Sequence, residues 1–104
     1  MAEKLQFIPL IEVFIEAASR SNGERLGFIR YDAQEKLFEP AIRFKLHLSG
    51  NQLRLFNESW EKFYRTTREE VYVAQHNDTQ EQKDKMQHML LSRLEALRKS
   101  VQES

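Results

Sequence analysis

Arg43, Lys45 and His47 stand at alternate positions in the stretch AIRFKLHLS, residues 41–49, and are the sharpest chemical signal in this 104-residue chain. Ile42, Phe44, Leu46 and Leu48 occupy the positions around them. Strict alternation of apolar and polar residues is the pattern of a half-buried β-strand. On such a strand the three basic groups share one face. That face could contact phosphates, with Arg30 on a neighbouring strand as a further cation and Phe28 or Tyr31 as platforms for bases. The plainer expectation is a solvated face, because antiparallel sheets commonly leave one side wet. Asp32, Glu35 and Glu39 lie close in sequence and weaken any anion-binding field.

The remaining reactive side chains do not assemble into a motif. A zinc site needs several ligands converging at set spacings, and His47, His76 and His88 form no such pair. His76-Asn77-Asp78 could hold a base against a carboxylate, but the same residues make a good turn and no nucleophile accompanies them. Glu12 and Glu16, four apart, suit a wet helix face as well as a cation. Ser19, Ser21, Ser49 and Ser59 stand in no nucleophile elbow, and Gly23 and Gly27 make no phosphate loop. The chain has no cysteine, so disulfides, thiolate metal sites and cysteine nucleophiles are excluded. The expectation is a protein that is not an enzyme and carries no cofactor or metal.

These residues need elements to position them. Leu10, Val13, Phe14, Ala17 and Ala18 follow helical spacing, with Pro9 at the first helical position and Ser21-Asn22-Gly23 as the stop. A strand over 5–15 is the rival reading, since Leu5, Phe7, Pro9, Ile11, Val13 and Ile15 alternate. The helix is preferred. GFIRYD and LFEPAIRFKLHLS then read as two strands around the polar turn AQEK, with Pro40 marking an edge or bulge. Ser49 to Gln52 resembles a capping box. Beyond it Leu53, Phe56, Trp60, Phe63 and Tyr64 share one helical face. Thr66 and Thr67 can restart a helix in a new direction. Asp78 and Thr79 cap a long last helix whose seam is Met86, Leu90, Leu94, Leu97 and Val101.

The expected architecture is therefore α+β, a single small domain over 1–104 in the order α-β-β-α-α, with an antiparallel hairpin packed against helices and a long C-terminal helix. A lone hairpin is marginal and its edges are open. Self-pairing into a homodimer, or covering by helices, would resolve both problems. Aromatic stripes at helical spacing are usually core, but Trp and Tyr also anchor interfaces. Tyr72 and Val73 are the surplus apolar residues expected to face a partner, beside Arg43, Lys45 and His47.

Charge narrows the function. Sixteen basic side chains balance sixteen acidic ones, whereas a dedicated nucleic-acid binder usually carries a basic excess. Glu12 and Glu16 interrupt the N-terminal apolar stretch, which argues against a secretory leader. No run approaches the ~18 apolar residues of a membrane span. The expectation is a small soluble cytoplasmic protein without membrane contact, of a type common in bacteria and phages. Its expected role is a non-catalytic protein-binding module: an adaptor, regulator or stoichiometric inhibitor that binds a protein partner or itself. The alternative is a small nucleic-acid-binding regulator that uses the hairpin's basic face together with Arg54, Lys62, Arg65 and Arg68.

Overall fold

The computed structural model describes residues 2–21, 24–71 and 79–104. Among them are six helical segments and no strand: α1 Ala2–Ser19, α2 Glu24–Lys36, α3 Phe38–Lys45, α4 Gly50–Tyr64, α5 Arg68–Val71 and α6 Gln80–Gln102. The α+β reading is thus corrected to an all-helical one. The two segments expected to form the hairpin are α2 and α3.

The reason lies in a second period hidden under the alternation. Leu26, Ala33, Leu37, Ala41, Phe44 and Leu48 are buried, and their spacings of 7, 4, 4, 3 and 4 trace one stripe of a helix. The intended turn, AQEK, contains only strong helix formers and no residue suited to positive φ. What interrupts the helix is Pro40. It cannot donate to the carbonyl of Lys36, and its ring crowds that carbonyl. The chain bends there, with Leu37 as the N-cap residue of α3 at φ −90°, ψ −8°. Leu37 N–H still bonds to Ala33 O at 2.9 Å, and Ala41 N–H to Leu37 O at 3.0 Å. The inner stripe keeps its phase through the bend.

α1 is a helix, as preferred over the strand, but its register is corrected. It begins at Ala2, so Pro9 lies inside it rather than at its first position. Pro9 leaves the carbonyl of Leu5 without an intrahelical donor. Both residues are exposed, so that carbonyl faces water. The buried stripe is Phe7, Ile11, Phe14 and Ala18, while Val13 faces out.

α6 packs along both α1 and α4, and α3 touches α1 and α4 from the other side. The two long contacts are antiparallel, and each helix end serves the other. Lys4 Nζ donates to the carbonyl of Gln102 at 2.8 Å, at the C-terminus of α6. Gln87 Nε2 donates to the carbonyls of Ala18 and Ser19, both at 2.9 Å, at the C-terminus of α1. Cations and amide donors are stabilising at such ends, where the last carbonyls lack partners. Leu90, Leu94, Leu97 and Val101 are fully buried, so the predicted seam of α6 holds. Thr79 is its cap and accepts from Gln82 N–H at 3.2 Å.

A polar knot joins α2, α5 and α6 where α4 ends. Buried Gln34 donates to the carbonyls of Phe63, at 3.1 Å, and Thr66, at 2.8 Å. Its oxygen accepts from Arg30 at 2.7 Å. Arg93 donates to Thr66 Oγ1 at 2.6 Å and faces Glu70 at 3.4 Å. Thr67 and Glu70 form a true capping box. Thr67 N–H donates to the Glu70 carboxylate at 2.7 Å, and Glu70 N–H to Thr67 Oγ1 at 3.3 Å. Ser49 is the N-cap residue of α4 but makes no side-chain cap bond. No described helix is long and apolar enough to cross a membrane.

Candidate functional site

The basic side chains expected to share a strand face are separated. Residues 43, 45 and 47 lie on α3 and the turn after it, where successive residues rotate by about 100°. Lys45 therefore projects roughly opposite to Arg43. Arg43 pairs with Glu39 at 3.6 Å, and His47 faces Glu3 of α1 at 3.5 Å. Its own backbone N–H, and then His47, hold the Glu3 carboxyl below its ordinary pKa. Arg30, the proposed neighbouring cation, is tied into the knot with Gln34 and Thr66. Arg54 and Arg65 pair with Glu58 and Glu61 on their own helix. Glu12 faces Arg98, and Glu16 binds Arg20 at 2.7 Å. His88 is exposed on α6. Tyr72, Val73 and His76 lie outside the described residues.

What the fold does bring together is the opposite face of α2 and α3. Five large apolar residues point away from the core there: Phe28 at 67% exposure, Tyr31 at 55%, Phe38 at 43%, Ile42 at 47% and Leu46 at 79%. Their spacings of 3, 7, 4 and 4 keep them on one stripe, because the inner stripe stays in phase through the bend at Leu37. The outer stripe is a geometric consequence of the alternation in residues 41–49. An alternating sequence folded as a helix sends half its apolar residues inward and half to solvent. Ile42 and Leu46 are the half that Phe44 and Leu48 leave behind.

The stripe is bordered along one side by charges of alternating sign. Asp32 pairs with Lys36 at 3.8 Å and Glu39 with Arg43 at 3.6 Å. Within the stripe, Tyr31 Oη donates to Glu35 Oε1 at 3.1 Å. That hydrogen bond and the adjacent carboxylate push the phenol's pKa above its ordinary value.

Aromatic contacts connect this surface to the core. Phe38 lies against Tyr64 of α4, with ring centroids 5.6 Å apart. Tyr64 stacks on Trp60 at 5.3 Å, and Trp60 on Phe56 at 6.5 Å. Phe56 meets Phe44 and Phe7 at 5.3 and 6.3 Å. Offset and tilted ring pairs of this kind each contribute ~0.5–1.5 kcal/mol beyond their buried area. The rings nearest the surface are thereby held in place before anything binds them. Tyr31, Gln34, Glu35, Phe38 and Tyr64 line a shallow depression at this junction.

In the strand reading Phe28 and Tyr31 are stacking platforms for bases, and Ile42 and Leu46 lie on the buried face. Phe38, Ile42 and Leu46 were missed as outward-facing residues. The signal that could have found them is their helical spacing, which the period of two obscured. No protein-family model, curated protein or solved structure matches this chain.

Proposed function

We propose that this chain is a non-catalytic protein-binding module, an adaptor, regulator or stoichiometric inhibitor acting in the cytoplasm, and that it docks through the outer face of α2 and α3. The observation that carries this reading is the stripe of Phe28, Tyr31, Phe38, Ile42 and Leu46, all at least two-fifths exposed. Single exposed apolar residues are ordinary, but a contiguous row of them framed by charges marks an interaction surface. Burying one such side chain fully is worth ~1.5–3 kcal/mol. Two aromatic anchors at the centre with a charged border match the anatomy of a protein interface. The balanced charge of the chain fits a protein partner better than a polyanion. The nucleic-acid alternative loses its ribbon with the hairpin.

The test is site-specific photo-crosslinking. A photoreactive phenylalanine analogue at position 38 should give a discrete protein adduct in cells. Adding Ile42→Glu, one turn along the same face, should abolish that adduct, and Arg54→Glu, on another helix, should not. Adducts at 38 no stronger than those from a probe at exposed Gln82 would sink the reading.

A further inference from the structure

The row of charges beside the stripe says what the occupant is. Asp32, Lys36, Glu39 and Arg43 are spaced 4, 3 and 4, and their signs run minus, plus, minus, plus. The spacing reads the same in both directions, whereas the signs reverse. A helix with such a border is complementary to its own antiparallel copy. We propose that the α2–α3 face binds a second copy of this chain, antiparallel about a two-fold axis near Leu37 and Phe38, with Asp32 against the partner's Arg43 and Lys36 against the partner's Glu39. This rests on the reading of the face as a protein-docking surface and names its partner.

The geometry of a two-fold pair supports the match. In an antiparallel pair related by a perpendicular two-fold axis, each border lies along the same border of the other copy. A residue at position n then faces position 75 − n, which sets 32 against 43 and 36 against 39. The same register carries the apolar stripe. Phe28 falls within one residue of the partner's Leu46 and Tyr31 within two of the partner's Ile42, with the two Phe38 rings at the axis. A parallel pair lacks this match, since its two-fold axis runs along the helices and places the two charged borders on opposite sides of the contact. The contact is isologous and closes after two copies, so it gives a dimer and not a filament. Phe28 and Leu46 are 18 residues apart, about 27 Å along a straight helix, and the Phe38–Tyr64 ring pair near the centre extends the surface onto α4.

The decisive experiment is a charge-swap cycle on the full chain. It is read by light scattering on a size-exclusion column from micromolar to several hundred micromolar protein, with circular dichroism to confirm helicity. Wild type should be dimeric in the upper range, and Phe38→Glu monomeric with unchanged helicity. Asp32→Arg and Arg43→Asp should each weaken the dimer about tenfold, and the double variant should recover most of that loss. Positions 32 and 43 are about 16 Å apart within one helix-bent-helix. Recovery therefore reports a contact between copies, not within one. Lys36→Glu with Glu39→Lys repeats the cycle should the first pair fold poorly. A wild type that stays monomeric at the highest concentration overturns the proposal, as does a dimer indifferent to Phe38→Glu or a double variant no better than its singles. If the chain is monomeric yet its position-38 adduct still depends on Ile42, self-pairing fails while the docking surface stands. If both signals vanish, both readings fail.

Discussion

Gly50 opens α4 at φ +58°, the left-handed region, with open space where a side chain would project. The cost of replacing it is therefore backbone strain alone, not a clash. Gly50→Ala should lower stability by ~1–2 kcal/mol, measurable as a drop in thermal midpoint of several degrees. Glu70 gives a second residue-scale prediction, this time in pH. The bond from Thr67 N–H, and then Arg93, hold its carboxyl below its ordinary pKa of 4.5. Because the folded pKa lies below the unfolded one, the stabilisation is complete above pH about 4.5 and is lost as pH falls through the lower folded value. Glu70→Gln should flatten the acid limb of the stability curve in that window and leave its shape near neutrality unchanged. Half-exposure and solvent screening keep the effect modest. An acid limb identical in the two proteins would show that the capping box and the Arg93 contact carry no pH dependence.

At the scale of the element, residues 38–48 satisfy two periods, and burial decides between them. On a strand, Ile42, Phe44, Leu46 and Leu48 would share a buried face. On the observed helix, Phe44 is fully buried whereas Ile42 is half exposed. Phe44→Ala should then cost ~3–5 kcal/mol by cavity formation, while Ile42→Ala should stay within ~0.5 kcal/mol. Urea unfolding of the two variants, below any concentration at which copies associate, separates the architectures. Equal large losses would restore the hairpin. The helix wins because Leu37, Ala41, Phe44 and Leu48 extend a stripe already begun at Leu26, which the strand register would break. Pro40 is tolerated because it falls in the first turn of α3, where the missing N–H costs little.

For the molecule as a whole, the helices are joined by a core and by a few polar bonds that fix its register. The aromatic set Phe7, Phe44 and Phe56 ties α1, α3 and α4 together. Gln34 is the polar counterpart, donating to the carbonyls of Phe63 and Thr66 where α4 ends. Gln34→Ala should cost ~1–3 kcal/mol, because it removes three buried or part-buried hydrogen bonds, one donor from each of two carbonyls and one acceptor from Arg30. Its signature is accelerated amide exchange in residues 66–71 before global unfolding. Self-association adds a further whole-molecule expectation. The thermal midpoint of wild type should rise with protein concentration, and that of Phe38→Glu should not.

How much of this was legible depended on whether one period stood alone. In α6 the leucine seam and the Thr79 cap coexist with no competing pattern, so local residues specified the helix and the side it buries. In α4 the face of Phe56, Trp60 and Phe63 was equally plain, although Tyr64 at its margin turned outward. The start of α5 is foreshadowed by Thr67, while its reciprocal bond with Glu70 is set by the fold. Residues 27–49 read as a hairpin because alternation is a local signal, and the stripe that overrides it, Leu26 to Leu48, spans 23 residues across a proline. The basic trio fell with that reading, since its members share a face only on a strand. By itself, then, the sequence determined the helices with a single clear period, the absence of thiol chemistry and the balance of charge. The tertiary structure alone decided which of two periods residues 38–48 obey, because only the joint burial of Leu26, Leu37, Phe44 and Leu48 in one core outweighs the strand pattern. That choice also turned Phe28, Tyr31, Phe38, Ile42 and Leu46 to the surface.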